Sequence, residues 1–401
     1  MKLKARFYES AIYLGTRPGE YLLSRAMRYS KVAYLPFVKT YFINDPIIAK
    51  QALKDVDNFS SAHTGSVGQL ASFIMGFDSK ALFNMSGEDH KDLKFKLLSI
   101  FQPEYIDEMI KEALGYEIDW LKEQIDQKKT VDLARFIKRC TARTTCHMLG
   151  IVENDESYEE MLLEVAELSD ALTSMIKVSA SGLTEKKKQK GKKIYREFSK
   201  IIEKYYALDG QHTSSIIYEL KKRNFEFEDA KSLLVTLIMA GTETVSSGLP
   251  RMVAVLIDDD RWEELHNNPD DIDGAISEGL RFTAPSPLIL HSTIKDSKID
   301  RFSFKKNRRV LIMLLNIMRS PKYYDKPYEI DFKRTQNDQY RNFWFGAGPH
   351  FCIGSELAKK EIKAILETLI AQSKNPKIIK RRFARGTSFP GYKELIVDFS
   401  D

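Results

Sequence analysis

Phe345–Gly354 reads FGAGPHFCIG and runs directly into SELAKKEIKAILETLI, whose apolar residues recur at helical steps. Cys352 therefore stands just before a predicted helix, where free N–H groups and the helix dipole favour its thiolate, a soft anionic metal ligand. Gly346 and Gly348 predict a tight turn that lets backbone approach the sulphur and any flat group bound there. Gly354 predicts a helix start without side-chain bulk. Alone, a cysteine after a glycine turn reads as a buried small hydrophobe. Two further segments decide against that.

One is Leu233–Val245, LLVTLIMAGTETV, apolar on all sides and so predicted to be a buried helix crossing the core. Inside it, Ala240-Gly-Thr-Glu-Thr244 places a carboxylate and hydroxyls where they cost free energy unless they are hydrogen-bonded or functional. An acid beside an alcohol can relay protons. The structural alternative is a Thr244 hydroxyl bonded back within its own helix and a Glu243 paired at the surface. The other segment is Glu278-Gly-Leu-Arg281, whose acid and base lie on one helical face and can form a charge-assisted pair.

Together these segments make the chain resemble the cytochrome P450 family. Phe345, Gly346, Gly348, His350, Cys352 and Gly354 match its haem-binding signature, and the likeness runs from Asn44-Asp45-Pro46 to the cysteine helix. The resemblance implies the mainly α cytochrome P450 fold with small β-sheets, as a single domain over residues 1–401. A sheet region is expected at about 30–45, a helical body at about 46–285, and the haem-thiolate loop at 345–354 with its following helix. Haem b would be the cofactor, with Cys352 its axial ligand, Ala240 and Gly241 against it, and dioxygen the co-substrate. Gly241 would let the helix open locally, Thr244 would hydrogen-bond dioxygen, and Glu243 would relay protons. Glu278, Arg281 and Arg334 (in IDFKR) would form a structural lock. His90, Lys94, His291 and His350 would meet the haem propionates. Lysine stands at 94, and histidine at 291, where relatives carry arginine, so the bidentate fork is missing.

By the same analogy the substrate pocket takes in Phe73, Leu82, Leu237, Leu288, Ile289, Leu290 and Phe389, side chains suited to an apolar small molecule. Fatty acids, terpenoids and polyketide or peptide intermediates all fit, in secondary metabolism or catabolism. The implied activity is hydroxylation, or another oxidation, driven by electrons from a ferredoxin or flavodoxin and its NAD(P)H reductase. Lys94, Lys96, Lys359, Lys360 and Lys363 would form a basic patch steering that acidic partner. A peroxide-driven peroxygenase and a non-catalytic haem-based gas sensor are the alternatives. Glu243 and Thr244 favour dioxygen activation over both.

Composition agrees. With 43% hydrophobic and 29% charged residues the chain is an ordinary globular protein, and a net charge of +6 over 401 residues gives no footprint for nucleic acid. Three cysteines without framework spacing argue for a reducing cytoplasm. Charges from Lys2 to Glu20 interrupt the apolar run that a leader or anchor needs, so no transmembrane anchor is expected. Val32–Ile43 predicts a hairpin, Pro103–Gln127 a helix, Leu288–Ile299 and Arg309–Leu315 strands, and the final helix runs through Leu369. The lysine run Glu185–Lys193 reads as a solvated loop and helix start containing the helix-weakening Gly191.

Overall fold

The computed structural model describes residues 5–61, 72, 74–75, 79–153, 156–175, 184–208, 214–335, 337–387 and 389–400. The hairpin forms: β1 (Val32–Leu35) runs antiparallel to β2 (Thr40–Ile43) around a 3-10 turn at Pro36–Val38, closed by Lys39 at φ 49°. Asn44-Asp45-Pro46 follows as a helix start. The Asp45 carboxylate accepts from the N–H groups of Ile47 (3.0 Å) and Ile48 (3.1 Å), and Pro46 needs no N–H partner in the first turn.

Downstream come β3 (Phe59–Ser60), β4 (Thr130–Asp132), β5 (Ile289–Thr293), β6 (Ser297–Ile299), β7 (Phe302–Phe304), β8 (Arg309–Ile312), β9 (Lys377–Phe383) and β10 (Tyr392–Asp398). One sheet has the order β1-β2-β8-β5-β3, in which β2 and β8 pair in parallel and the other pairs are antiparallel. A second sheet is β4-β10-β9, and β6-β7 is a small hairpin. The strand expected at Arg309–Leu315 stops at Ile312. Leu314–Ile317 is a short helix packed inward, with all four residues buried.

The helical body centres on Phe227–Asp258, which packs against Leu133–Leu149, Glu156–Thr173 and Glu185–Ala207. It is long and apolar enough to cross a membrane by composition, yet 78% of its most apolar window is buried within the protein, which makes it the core helix. At ~1.5–3 kcal/mol for each large aliphatic side chain fully buried, this helix is a principal source of stability. Cys140 and Cys146 are free, buried thiols on Leu133–Leu149, acting as small core hydrophobes.

Glu185–Lys193 is not a loop. The helix starts at Glu185 and continues to Ala207, burying Ile194, Tyr195, Phe198, Ile202 and Tyr205 while most of its lysines face outward. Gly191 serves contact rather than breakage, because a Cβ there would lie 2.3 Å from Ile74 Cδ1. The predicted helices near Pro103 and after Cys352 run Pro103–Lys128 and Ser355–Gln372.

Candidate active site

The cysteine loop is built by backbone. After a 3-10 turn at Phe343–Phe345, Gly346 (φ 79°) and Gly348 (φ 69°) take left-handed conformations that reverse the chain. A Cβ on Gly348 would sit 2.4 Å from the Leu53 carbonyl oxygen, so the loop also lies too close to its neighbour for any side chain. The Cys352 N–H donates to the Phe345 carbonyl (3.0 Å), folding the loop back on itself. Phe345 packs on Phe351, with ring centroids 6.3 Å apart. Gly354 differs from expectation: its φ is −88° and a Cβ would meet only Phe101, at 3.8 Å, so the surrounding protein leaves room for a side chain there.

Cys352 lies deep among protein atoms but its side chain is solvent-accessible, so it faces an internal cleft. Burial raises its thiol, while the Gly354 N–H and the Lys94 charge pull the other way. Lys94 does not point its ammonium freely into the cleft. It donates to the carbonyls of Pro349 and Phe351, both at 2.6 Å, and thereby ties the helix Gly87–Leu97 to the cysteine loop.

The three histidines do meet. His90 and His350 rings lie 4.2 Å apart between centroids, and His291 stands edge-on to His350 at 6.5 Å. Burial, reinforced for His350 by its imidazole neighbours and Lys94, lowers His350 to about 3; burial lowers His291 to about 4 and His90 by less. All three are neutral at pH 7. His291 Nδ1 is buried with no partner among the described residues, an orphan that a bound carboxylate would satisfy.

On the core helix, Ala240 is exposed and Gly241 and Thr244 are half-buried, although Leu237, Ile238 and Met239 just before them are buried. This open stripe and the accessible Cys352, with three neutral imidazoles nearby, suit a flat, dianionic, iron-centred group such as haem. Gly241 does not open the helix, which is continuous here. Its Cβ would meet Thr145 Oγ1 at 2.5 Å, so it admits the helix Leu133–Leu149 instead. Thr244 Oγ1 donates back to the Ala240 carbonyl at 2.9 Å, so its hydroxyl is bonded within its own helix. Glu243 is not paired at the surface. It is buried, accepts from Thr173 Oγ1 at 3.3 Å through one carboxylate oxygen, and leaves Oε1 without a partner among the described residues. Burial pushes it up to about 7; Asp170 reinforces this, and Lys138 and Thr173 oppose it. Its dependence on Thr173, Asp170 and Lys138 carries no signal in the sequence.

The lock is complete. Arg281 meets Glu278 through two bonds (2.7 and 2.8 Å) and donates to the carbonyls of Met318, Pro327 and Glu329. Arg334 joins Glu278 at 3.0 Å and also holds the Asp325 carbonyl. With both partners buried and their hydrogen bonds satisfied, this is scaffold.

The pocket expectations divide. Leu82 and Leu237 are buried in the main core and Phe389 is half-buried in the turn before β10, where Gly391 abuts Ser247 of the core helix. Strand alternation separates the next three: Ile289 packs on the main core with His291 on its face, while Leu288 and Leu290 pack on Phe42, Leu311 and Met313 across the sheet. Leu288 and Leu290 are therefore removed from the pocket. Phe73 lies outside the described residues.

The lysines expected to attract an acidic partner are largely neutralised. Lys96 pairs with Asp92, Lys359 with Glu356 (2.9 Å), Lys360 with Asp107 (2.5 Å) and Lys363 with Asp273 (2.9 Å).

The family description Cytochrome P450 matches residues 19–267 and 272–373. The chain is 29% identical to putative cytochrome P450 YjiB of Bacillus subtilis (strain 168), over 43% of this chain and 44% of that protein, so it spans under half of that relative's length. It is 24% identical to 20-oxo-5-O-mycaminosyltylactone 23-monooxygenase of Streptomyces fradiae, over 80% of this chain and 74% of that one. Among solved structures it is similar to P450BioI in complex with a hexadec-9Z-enoic acid ligated acyl carrier protein, with TM-score 0.82, 20% identity, and coverage of 96% and 98% of the two chains.

Proposed function

This chain belongs to the cytochrome P450 family, and from that premise we propose that it is a haem-thiolate monooxygenase acting on an apolar small molecule. The observation that carries the proposal is the Cys352 thiol, accessible inside the fold on a loop that backbone hydrogen bonds and two left-handed glycines hold in place. A relative named as a monooxygenase supports the reaction class.

Haem b, when bound, would supply the oxidising chemistry with dioxygen as co-substrate, and a thiolate from Cys352 would hold it. Cys352 would ligate it as thiolate, favoured by the Gly354 N–H and the Lys94 charge against the burial that raises the thiol. The propionates fall to His90, His291 and His350. Their imidazoles would take on positive character only as those anions arrive, because burial otherwise keeps them neutral. Glu243, near 7, is populated in both protonation states at neutral pH and can yield a proton from Oε1 and regain one. Thr244 must release the Ala240 carbonyl before its hydroxyl can donate to a reacting oxygen. Leu82, Leu237, Ile289 and Phe389 exclude water around an apolar substrate.

Electrons come from a separate ferredoxin or flavodoxin reduced by an NAD(P)H reductase, in the cytoplasm. Three cysteines, one of them the haem ligand, cannot hold a four-cysteine cluster. Turnover under labelled dioxygen tests this reading: label should appear in product only with ferredoxin, reductase and NADPH. Full turnover with hydrogen peroxide alone would make the enzyme a peroxygenase, and no product with either would leave a sensor.

A further inference from the structure

We propose that the cleft between the N-terminal helices Ala5–Thr16 and Pro18–Met27 and the segment Leu315–Tyr328 is a second small-molecule site, for an anion whose phosphate or carboxylate head is joined to an aromatic or apolar body. The cleft encloses about 750 Å³, within the ~300–1,000 Å³ usual for ligand pockets. Arg25, Arg28, Lys31, Arg319 and Lys322 line it, and among the described residues no carboxylate does. Like charges gathered in a concavity raise the local potential and concentrate anions. Arginine forks fit the oxygens of phosphate and carboxylate in particular.

The body of the ligand has its own complement. Arg28 lies 4.5 Å above the Tyr29 ring and the Lys322 ammonium 5.3 Å from the Tyr323 centroid, so cations and ring faces alternate along the wall. Arg25 donates to the Tyr328 hydroxyl at 3.2 Å. Beneath these, an amide network fixes the floor: Asn316 Nδ2 donates to Asn44 Oδ1 (2.7 Å) and to the Ser24 carbonyl (3.0 Å), while Asn44 Nδ2 holds the carbonyls of Met27 and Ser30. The floor and the backbone that carries the walls are thus positioned before any ligand arrives. Asp45, which pairs with Lys31 at 3.2 Å and takes the Tyr323 hydroxyl at 2.5 Å, is not a lining residue. Neither Cys352, Glu243 nor any histidine of the active site lines the cleft, so occupancy here is independent of haem chemistry.

The test is calorimetric titration of the haem-loaded enzyme, with imidazole on the iron, using 4-nitrophenyl phosphate, 4-nitrobenzoate and pyrophosphate. The aromatic anions should bind, the tighter of the two identifying the head group. Arg28→Glu/Lys322→Glu should weaken that binding tenfold or more, and Lys186→Glu/Lys190→Glu, an equal charge change on the outward lysines of Glu185–Ala207, by less than twofold. The carbon monoxide spectrum should be unchanged in both variants, which separates loss of this site from misfolding. No binding of any probe to the wild type, or equal losses in the two variants, would overturn the proposal.

Discussion

Consider Glu243→Gln, which keeps the side chain's shape and removes its ionisation. In the folded protein this carboxyl is buried on the core helix and titrates near 7, mainly because burial disfavours the carboxylate; unfolded, it returns to about 4.5. The folded state therefore holds the proton more tightly. The stability this confers is fully present below about 4.5, declines as pH rises, and is gone above about 7. At ~1.4 kcal/mol per tenfold change in proton affinity, the span amounts to ~3 kcal/mol as an upper bound. A melting entropy of ~2.1 cal/mol/K per residue gives ~0.8 kcal/mol/K here, so the variant should melt roughly 4 °C above the wild type at alkaline pH. Scanning calorimetry of both holoenzymes from about pH 5 to pH 8.5 would show the two profiles converging toward acid and separating toward base. Glu361, buried on the cysteine helix and pushed up to about 8, tilts both profiles alike, so the difference isolates Glu243. Parallel profiles would refute the claim that a buried, protonatable Glu243 waits at neutral pH. The same variant should show slower product formation and more uncoupled reductant consumption.

Arg281→Met leaves the buried Glu278 carboxylate without its main cation and should cost ~3–5 kcal/mol, read as a lowered Soret-to-protein absorbance ratio and melting temperature. Gly348→Ala forces a Cβ against the Leu53 carbonyl at a left-handed φ and should abolish haem retention, whereas Gly354→Ala should retain the fold; equal melting temperatures for the two would contradict the loop geometry. Because Lys96, Lys359, Lys360 and Lys363 are ion-paired, reduction by an acidic ferredoxin should vary less than about threefold between 50 and 500 mM salt. A steep fall in stopped-flow rate would restore electrostatic steering as the docking force.

The lock, the cysteine loop and the buried character of the core helix were all legible in the sequence, because each is written locally: three-residue spacing for Glu278 and Arg281, glycines at fixed offsets from Cys352, an unbroken apolar run around Ala240. What escaped depends on distant partners. Lys360 and Lys363 look like free charges until Asp107 and Asp273 arrive from other helices. Gly241 looks like a hinge until Thr145 is seen 2.5 Å from its missing Cβ. Gly191 misled for the same reason, its small size serving Ile74 rather than a helix break. Leu288 and Leu290 were misplaced because a run of apolar residues hides which alternate positions face the cleft.

Carbon monoxide difference spectroscopy of the dithionite-reduced protein, alongside Cys352→Ser, tests the central claim most directly. A Soret band shifted strongly to the red in the wild type and lost in the variant is the predicted result. A band characteristic of histidine-ligated haem, or a protein that takes up no haem, would contradict it.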